Sequence, residues 1–187
     1  NIDHWSARSI GKALQKSLSE HELALVDLPE VDITDRQGLI ANMENFKPQG
    51  VIHCAAFTDV DGSVSQPELA YKINGFGTQN VAIACDKVGA VLVHLSTNEV
   101  FAGNQPGEYE EWMPVDPINP YGQSKAAGEF FVQNLLNRYF IVRTAWLYAP
   151  GGKNFIHSIL HHTRGHKPLK VVADEIGNPT YVTDLSD

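Results

Sequence analysis

Cysteine is scarce in this chain of 187 residues: only Cys54 and Cys85 occur, each inside an apolar run (VIHCAAF and VAIACDKV). A disulfide framework has nothing to rest on, and a reducing, cytoplasmic compartment is the expectation. Long hydrophobic runs are missing too. No apolar stretch nears the ~20 residues that span a bilayer, and the opening NIDHWSARSIG lacks the apolar centre of a secretion signal. Basic patches are equally absent. With 14 Lys+Arg against 22 Asp+Glu the formal net charge is −8, which repels phosphate backbones and anionic lipid. Neither nucleic acid nor a membrane is expected as a partner. There is no internal repeat and no low-complexity tract. What is present, 43% hydrophobic and 19% charged residues, is the composition of a folded domain rather than a disordered chain.

Short β-rich runs alternate with helical patterns, the order that builds a parallel sheet covered by helices. The candidate strands are ELALVD (22–27), GVIHCAA (50–56), AVLVHLS (90–96), YFIVRT (139–144) and LKVVAD (169–174). They are nearly all apolar, as befits strands buried on both sides. One helix is expected from Pro67 through Leu69, Ile73, Phe76, Val81, Ala84, Cys85 and Val88. A second begins at Asn119-Pro120, with Asn119 as cap and Pro120 in the first turn, and is expected to bury Ala127, Phe130, Phe131 and Leu135. A third spans 154–163 and pairs Phe155 and Ile156 with Ile159 and Leu160. The fold class is therefore α/β, a doubly wound parallel sheet of Rossmann-like type. Residues 1–145 form the expected dinucleotide-binding domain, and 146–187 read as the beginning of a smaller substrate domain, cut short. The loop from Phe101 to Pro120 (FAGNQPGEYEEWMPVDPINP) is longer than a simple connection needs, which marks it as a lid or binding loop.

Tyr121 and Lys125 stand four apart on the second helix, so their side chains share a face one turn apart. A phenol with a pKa of about 10 is a poor acid or base at neutral pH, and lowering it by about three units takes roughly 4 kcal/mol of preferential stabilisation of the phenolate. An adjacent ammonium supplies help of that kind. Ser96-Thr97 ends a central parallel strand, and ligands of open α/β sheets bind at that edge. Thr97 is placed to donate a hydrogen bond to a carbonyl oxygen while Tyr121 exchanges a proton with it, which suits hydride transfer between a carbonyl and an alcohol.

The stretches VHLSTNEVFAG, DPINPYGQSKAAGE, VRTAWLYAPGGKNF and VVADEIGNPTYVTDL resemble, in this order, successive signatures of the dTDP-4-dehydrorhamnose reductase family of extended short-chain dehydrogenase/reductases. LVDLPEVDITD, VIHCAAFTDVD and INGFGTQNVA carry the likeness over nearly the whole chain. The resemblance implies NAD(P)H-dependent reduction of dTDP-4-dehydro-L-rhamnose to dTDP-L-rhamnose, with Thr97, Tyr121 and Lys125 in the catalytic positions and Lys125 also on the cofactor ribose. It implies adenine contacts for Asp32 and Ile33, a path along the cofactor for Ala55, Ala56 and Thr58, and substrate contacts for Thr97 and for Trp146, the latter in a sugar-pocket position. Ala55 and Ala56 read equally well as small residues that let a helix approach a strand, and Trp146 as a core residue. Asp27, at the end of a strand, suits a ribose 2′-hydroxyl and disfavours a 2′-phosphate, so NADP and NAD both stay open. The implied partner is a nucleotide-sugar substrate, and a homodimer is allowed.

The chain also departs from the family. Gly11 keeps the place of the last glycine of the dinucleotide turn, but Arg8 and Trp5 stand where the other two belong; side chains there obstruct close approach of a pyrophosphate, or Arg8 instead offers it a charge. Asn98-Glu99 replaces the family's Asp-Tyr after Ser-Thr, and Gly62 replaces a common lysine. These changes motivate two further readings: another nucleotide-sugar reductase or epimerase, or a catalytically weak subunit like the relatives that associate with methionine adenosyltransferase. His161, His162 and His166 lack a neighbouring carboxylate or thiol, and no metal is expected. Glu108, Glu110 and Glu111 read as a solvated acidic turn.

Overall fold

The computed structural model describes residues 9–150, 154–164 and 170–187, which fall into two compact units. The first runs from Val26 to Arg143, and the second combines residues up to Leu25 with those from Thr144 to Asp187.

The first unit is built on three strands, β1 (Gly50–His53), β2 (Val91–Thr97) and β3 (Tyr139–Thr144), in the order β1-β2-β3. β1 and β2 are parallel, in register from Gly50 opposite Val91 to His53 opposite His94. A parallel pair needs a helical crossover, and the chain between the two strands supplies it. Asp59 caps a short helix, α3 (Val60–Ser65), and Pro67 then opens a long helical run: α4 (Pro67–Ala70), a π-helical turn (Tyr71–Gly77) and α5 (Thr78–Val88), ended by Gly89 at φ 72°. The wide turn alters the winding expected of an uninterrupted α-helix, and Phe76, read as part of the buried stripe, is 49% exposed. α2 (Arg36–Phe46), capped by the Asp35 carboxylate on the N–H groups of Gln37 and Gly38, packs on α5. Leu39 and Met43 of α2 join Val81, Ala82, Ala84, Cys85, Ala90, Leu92, Val132 and Leu136 in one apolar core. This is the Rossmann-like α/β class read from the sequence.

α6 (Pro120–Leu135) begins as expected, with Asn119 Oδ1 accepting the Gly122 N–H at 2.7 Å and Pro120 in the first turn. Its buried face is a correction. Gly122, Ser124, Lys125, Gly128, Glu129 and Val132 are buried, whereas Phe130 is 59% and Leu135 37% exposed. The cause is close crossing: a Cβ at Gly128 would lie 2.6 Å from the Asn74 carbonyl oxygen, so only the small-residue side of the helix fits against the π turn.

Two candidate strands are also corrected. Neither 22–27 nor 170–174 is a strand, because a strand exists only through a ladder with a neighbour and no described segment pairs with either. Leu169 lies outside the described residues. β1 is shorter than 50–56, since Cys54, Ala55 and Ala56 leave the ladder.

In the second unit α1 (Ser9–Ser17) packs on α8 (Val182–Ser186), with Ser17 Oγ donating to Asp187 Oδ1 at 2.7 Å. β4 (Leu147–Tyr148) and β5 (Thr180–Tyr181) pair in parallel. α7 (Phe155–Thr163) starts at an Asn154 cap whose Oδ1 accepts the His157 N–H at 3.0 Å. None of its residues is buried, and Phe155, Ile156 and Leu160 of the expected apolar pairing are exposed.

Candidate active site

β2 ends in Ser96 and Thr97, both buried. The Thr97 hydroxyl accepts the Glu99 N–H at 3.2 Å and donates to Asn98 Oδ1 at 3.3 Å, capping a 3₁₀ turn over Asn98–Val100. α6 returns to this turn. Asn119 Nδ2 donates to Glu99 Oε2 at 2.7 Å, and Gly122 lies so near the Glu99 carbonyl oxygen that no Cβ fits between them. Tyr121, half-buried, sits between those two anchors. One turn on, Lys125 is 3% exposed and its Nζ donates to the Leu95 carbonyl at 2.6 Å. Thr97, Tyr121 and Lys125 are thereby gathered at the carboxyl end of β2, the edge at which open α/β sheets bind ligands.

Burial pushes Lys125 down to about 8, opposed first by the negative charge of Glu129 and then by Cys54. The two histidines and the thiol beside it stay neutral. Burial, followed by the Lys125 charge, lowers His53 to about 3, and burial followed by Lys125 and His53 lowers His94 well below the usual histidine range. The two imidazoles stack with centroids 5.1 Å apart. Burial also pushes the Cys54 thiol up to about 12, so it stays protonated.

The expected cofactor positions divide between the units. Ala55 and Ala56, half-buried, and exposed Thr58 follow β1 in the first unit. Also there, Asp32 Oδ1 accepts the Thr34 N–H at 2.8 Å, the Ile33 carbonyl accepts Asn80 Nδ2 at 2.9 Å, and Asp27 Oδ1 accepts the Leu28 N–H at 2.8 Å. Gly11, on α1, belongs to the second unit; so does Trp146, which precedes β4 and is 46% exposed. Trp146 holds φ at 46°, a left-handed value costly for a bulky residue. Its ring lies so close to Gly177 that a Cβ there would meet it at 3.1 Å. Trp5 and Arg8 lie outside the described residues, as does His166. His162 Nδ1 is 2.7 Å from the Ser158 carbonyl oxygen, and among the described residues no group of three or more His, Cys, Asp or Glu could hold a metal.

Two buried features escaped the sequence reading. Asn74 binds the backbone of Phe57, and its only sequence signal is an amide in the middle of an apolar helical stripe. Glu129 pairs with Arg143 across 14 residues of sequence; a glutamate four residues after Lys125 looks like an ordinary solvated i, i+4 partner.

No helix among the described residues is long and apolar enough to cross a membrane. Residues 6–187 match the family model described as RmlD substrate binding domain. A dTDP-4-dehydrorhamnose reductase of Streptomyces griseus is 39% identical over 181 residues, covering 95% of this chain and 60% of the relative. Among solved structures, a dTDP-4-dehydrorhamnose reductase from Bacillus anthracis str. Ames in complex with NADP superposes with a TM-score of 0.92 at 44% identity, over 97% of this chain and 65% of that one. One from Clostridium acetobutylicum ATCC 824 gives 0.92 at 40% identity over the same shares. The chain thus spans a little under two thirds of these relatives. With a buried lysine one turn from a tyrosine at a parallel strand end, and a family match running from residue 6 to residue 187, the chain belongs to the RmlD substrate binding domain family.

Proposed function

We propose that this chain carries the cofactor side and the reacting groups of an NAD(P)H-dependent reductase that converts the 4-keto group of a nucleotide-activated deoxysugar to an alcohol, with dTDP-4-dehydro-L-rhamnose as substrate and dTDP-L-rhamnose as product. The observation that carries this reading is Lys125: a buried ammonium anchored under the strand end that bears Thr97, one helical turn from Tyr121. The names of its relatives support the substrate class.

The residues present fit a dinucleotide. An ammonium has three N–H donors, and Leu95 takes one of those of Lys125, leaving two for ribose hydroxyls. Ala55 and Ala56 present only methyl groups after β1, so a flat ring system can lie close to that turn. Asp27, Asp32, Ile33 and Thr58 are the further proposed contacts, with Gly11 at the phosphates. When bound, the reduced nicotinamide supplies a hydride to the sugar C4. Tyr121 Oη gives its proton to the O4 oxygen, while Thr97 Oγ1 turns from Asn98 and donates a hydrogen bond to the same oxygen. The Lys125 ammonium stabilises the phenolate left behind. Trp146 is the proposed sugar-pocket residue.

NADP and NAD are both candidates, and a relative crystallised with NADP favours the first. The two free cysteines fit a reducing cytoplasm, and a homodimer is the proposed assembly. The full-length protein given NADPH or NADH and dTDP-4-dehydro-L-rhamnose oxidises the cofactor, and Tyr121→Phe lowers kcat by about 10²–10⁴-fold. Equal turnover by the variant refutes the role assigned to Tyr121. No turnover, with capture of a stoichiometric enzyme partner, would replace the reductase by a regulatory subunit.

A further inference from the structure

One buried ion pair beside the strand end has no part in the chemistry above. Glu129, 2% exposed, accepts Arg143 Nε on Oε1 at 3.0 Å and Nη2 on Oε2 at 2.7 Å, and the Ser96 hydroxyl donates to the same Oε1. Ser96 immediately precedes Thr97, and Glu129 follows Lys125 by one turn of α6. A single carboxylate therefore touches the strand that bears one reacting group and rides on the helix that bears the other two.

Arg143 also reaches the opposite way. Its Nη1 donates to the Glu111 carbonyl at 3.1 Å, and its guanidinium lies 4.9 Å above the Phe101 ring, which stacks on Tyr109 at 4.4 Å. Those three residues belong to the long Pro-, Gly- and acid-rich segment after the 3₁₀ turn. Its seat is one planar cation. The five donors of a guanidinium allow this double use, which a lysine ammonium cannot copy. A buried ion pair adds little net stability, because desolvation offsets attraction, so fold maintenance alone accounts poorly for its place here.

Building on the reductase reading, we propose that Glu129 and Arg143 are positioning residues: their ion pair fixes Ser96-Thr97 against α6 and clamps the 101–119 segment to the same point, so that seating of the segment and orientation of Thr97 and Lys125 are coupled. Glu129 also favours the charged form of Lys125. The other titratable groups facing that ammonium are His53 and Cys54 from β1 and His94 from β2, all neutral at pH 7.

The test uses the full-length enzyme with NADPH and dTDP-4-dehydro-L-rhamnose. Arg143→Lys keeps a cation beside Glu129 but gives up the fork. It lowers kcat about tenfold with the KM for NADPH within about twofold, and speeds amide hydrogen exchange over residues 102–115 about tenfold. Glu129→Gln lowers kcat by about 10–100-fold and moves the alkaline limb of the rate profile to lower pH. Phe101→Leu disturbs no buried charge and produces the same paired change in exchange and kcat, so it decides the matter should Arg143→Lys fail to fold. Unchanged exchange in these variants overturns the clamp. Faster exchange with wild-type kcat, or a loss confined to KM, overturns the coupling. A wild-type enzyme without turnover overturns the reductase reading instead, and exchange at the Thr97 and Lys125 amides in Arg143→Lys then decides the coupling by itself.

Discussion

Asn74 and Phe57 hold each other in both directions: the Phe57 N–H donates to Asn74 Oδ1 at 2.7 Å, and Asn74 Nδ2 donates back to the Phe57 carbonyl at 3.0 Å. The same Nδ2 donates to Ser124 Oγ at 2.8 Å, and that hydroxyl in turn donates a hydrogen bond to the Tyr121 carbonyl at 2.7 Å. One buried amide therefore ties the turn carrying Ala55 and Ala56 to the first turn of α6.

Asn74→Asp replaces a two-way donor with a group that faces the Phe57 carbonyl through an acceptor. Leaving a buried polar partner unsatisfied costs about 1–3 kcal/mol, and the urea midpoint falls accordingly. Cofactor affinity falls with it, because the turn after β1 loses its anchor. A midpoint equal to wild type contradicts the account.

Lys125 titrates at about 8 in the fold against 10.5 when free, so the unfolded chain binds the extra proton between those values. Stability contributed by this group rises with pH across that window. Lys125→Met, freed of the buried charge, gains on wild type by up to about 3 kcal/mol at pH 7. The gain shrinks as pH rises toward 10. Urea unfolding at both pH values checks it, and parallel behaviour of the two proteins excludes it.

His53 works at the acid end. With its pKa lowered from 6.5 to about 3, it binds its proton in the unfolded chain first, so stability is lost as pH falls below 6.5. The loss attributable to His53 reaches about 3 kcal/mol near pH ~4.5. His94 is shifted in the same direction, and no group among the described residues bonds either of its ring nitrogens. His94→Leu therefore softens the acid limb of the stability profile, as measured by thermal unfolding from pH 7 to about 4.5. A variant as acid-sensitive as wild type goes against it.

Gly128→Ala forces a methyl to within 2.6 Å of the Asn74 carbonyl oxygen. Backbone cannot yield as a side-chain tip can, and overpacking of this sort costs about 1–3 kcal/mol. Despite alanine's higher helix propensity, the unfolding midpoint drops. A rise would mean that the helices separate freely.

What could be read in advance was local. Asn119-Pro120 announced the start of α6 because a cap and a first-turn proline act within three residues, and the Tyr121–Lys125 spacing needed only helical geometry. The buried face of α6 was misjudged because apolar periodicity assumes an apolar core, whereas Lys125 and Glu129 are buried through Leu95 and Arg143, partners 30 and 14 residues away. Phe130 was displaced to the surface as a result. ELALVD failed for a related reason: its β-rich composition says nothing about whether a neighbour is there to pair with.

The meeting of Gly122 with the carbonyl of residue 99 is a main-chain contact on one side and a missing side chain on the other. That contact uses no side-chain atom of positions 98 and 99. A change of residue at 99 thus removes the carboxylate that holds Asn119 yet leaves the backbone seat next to Tyr121 intact.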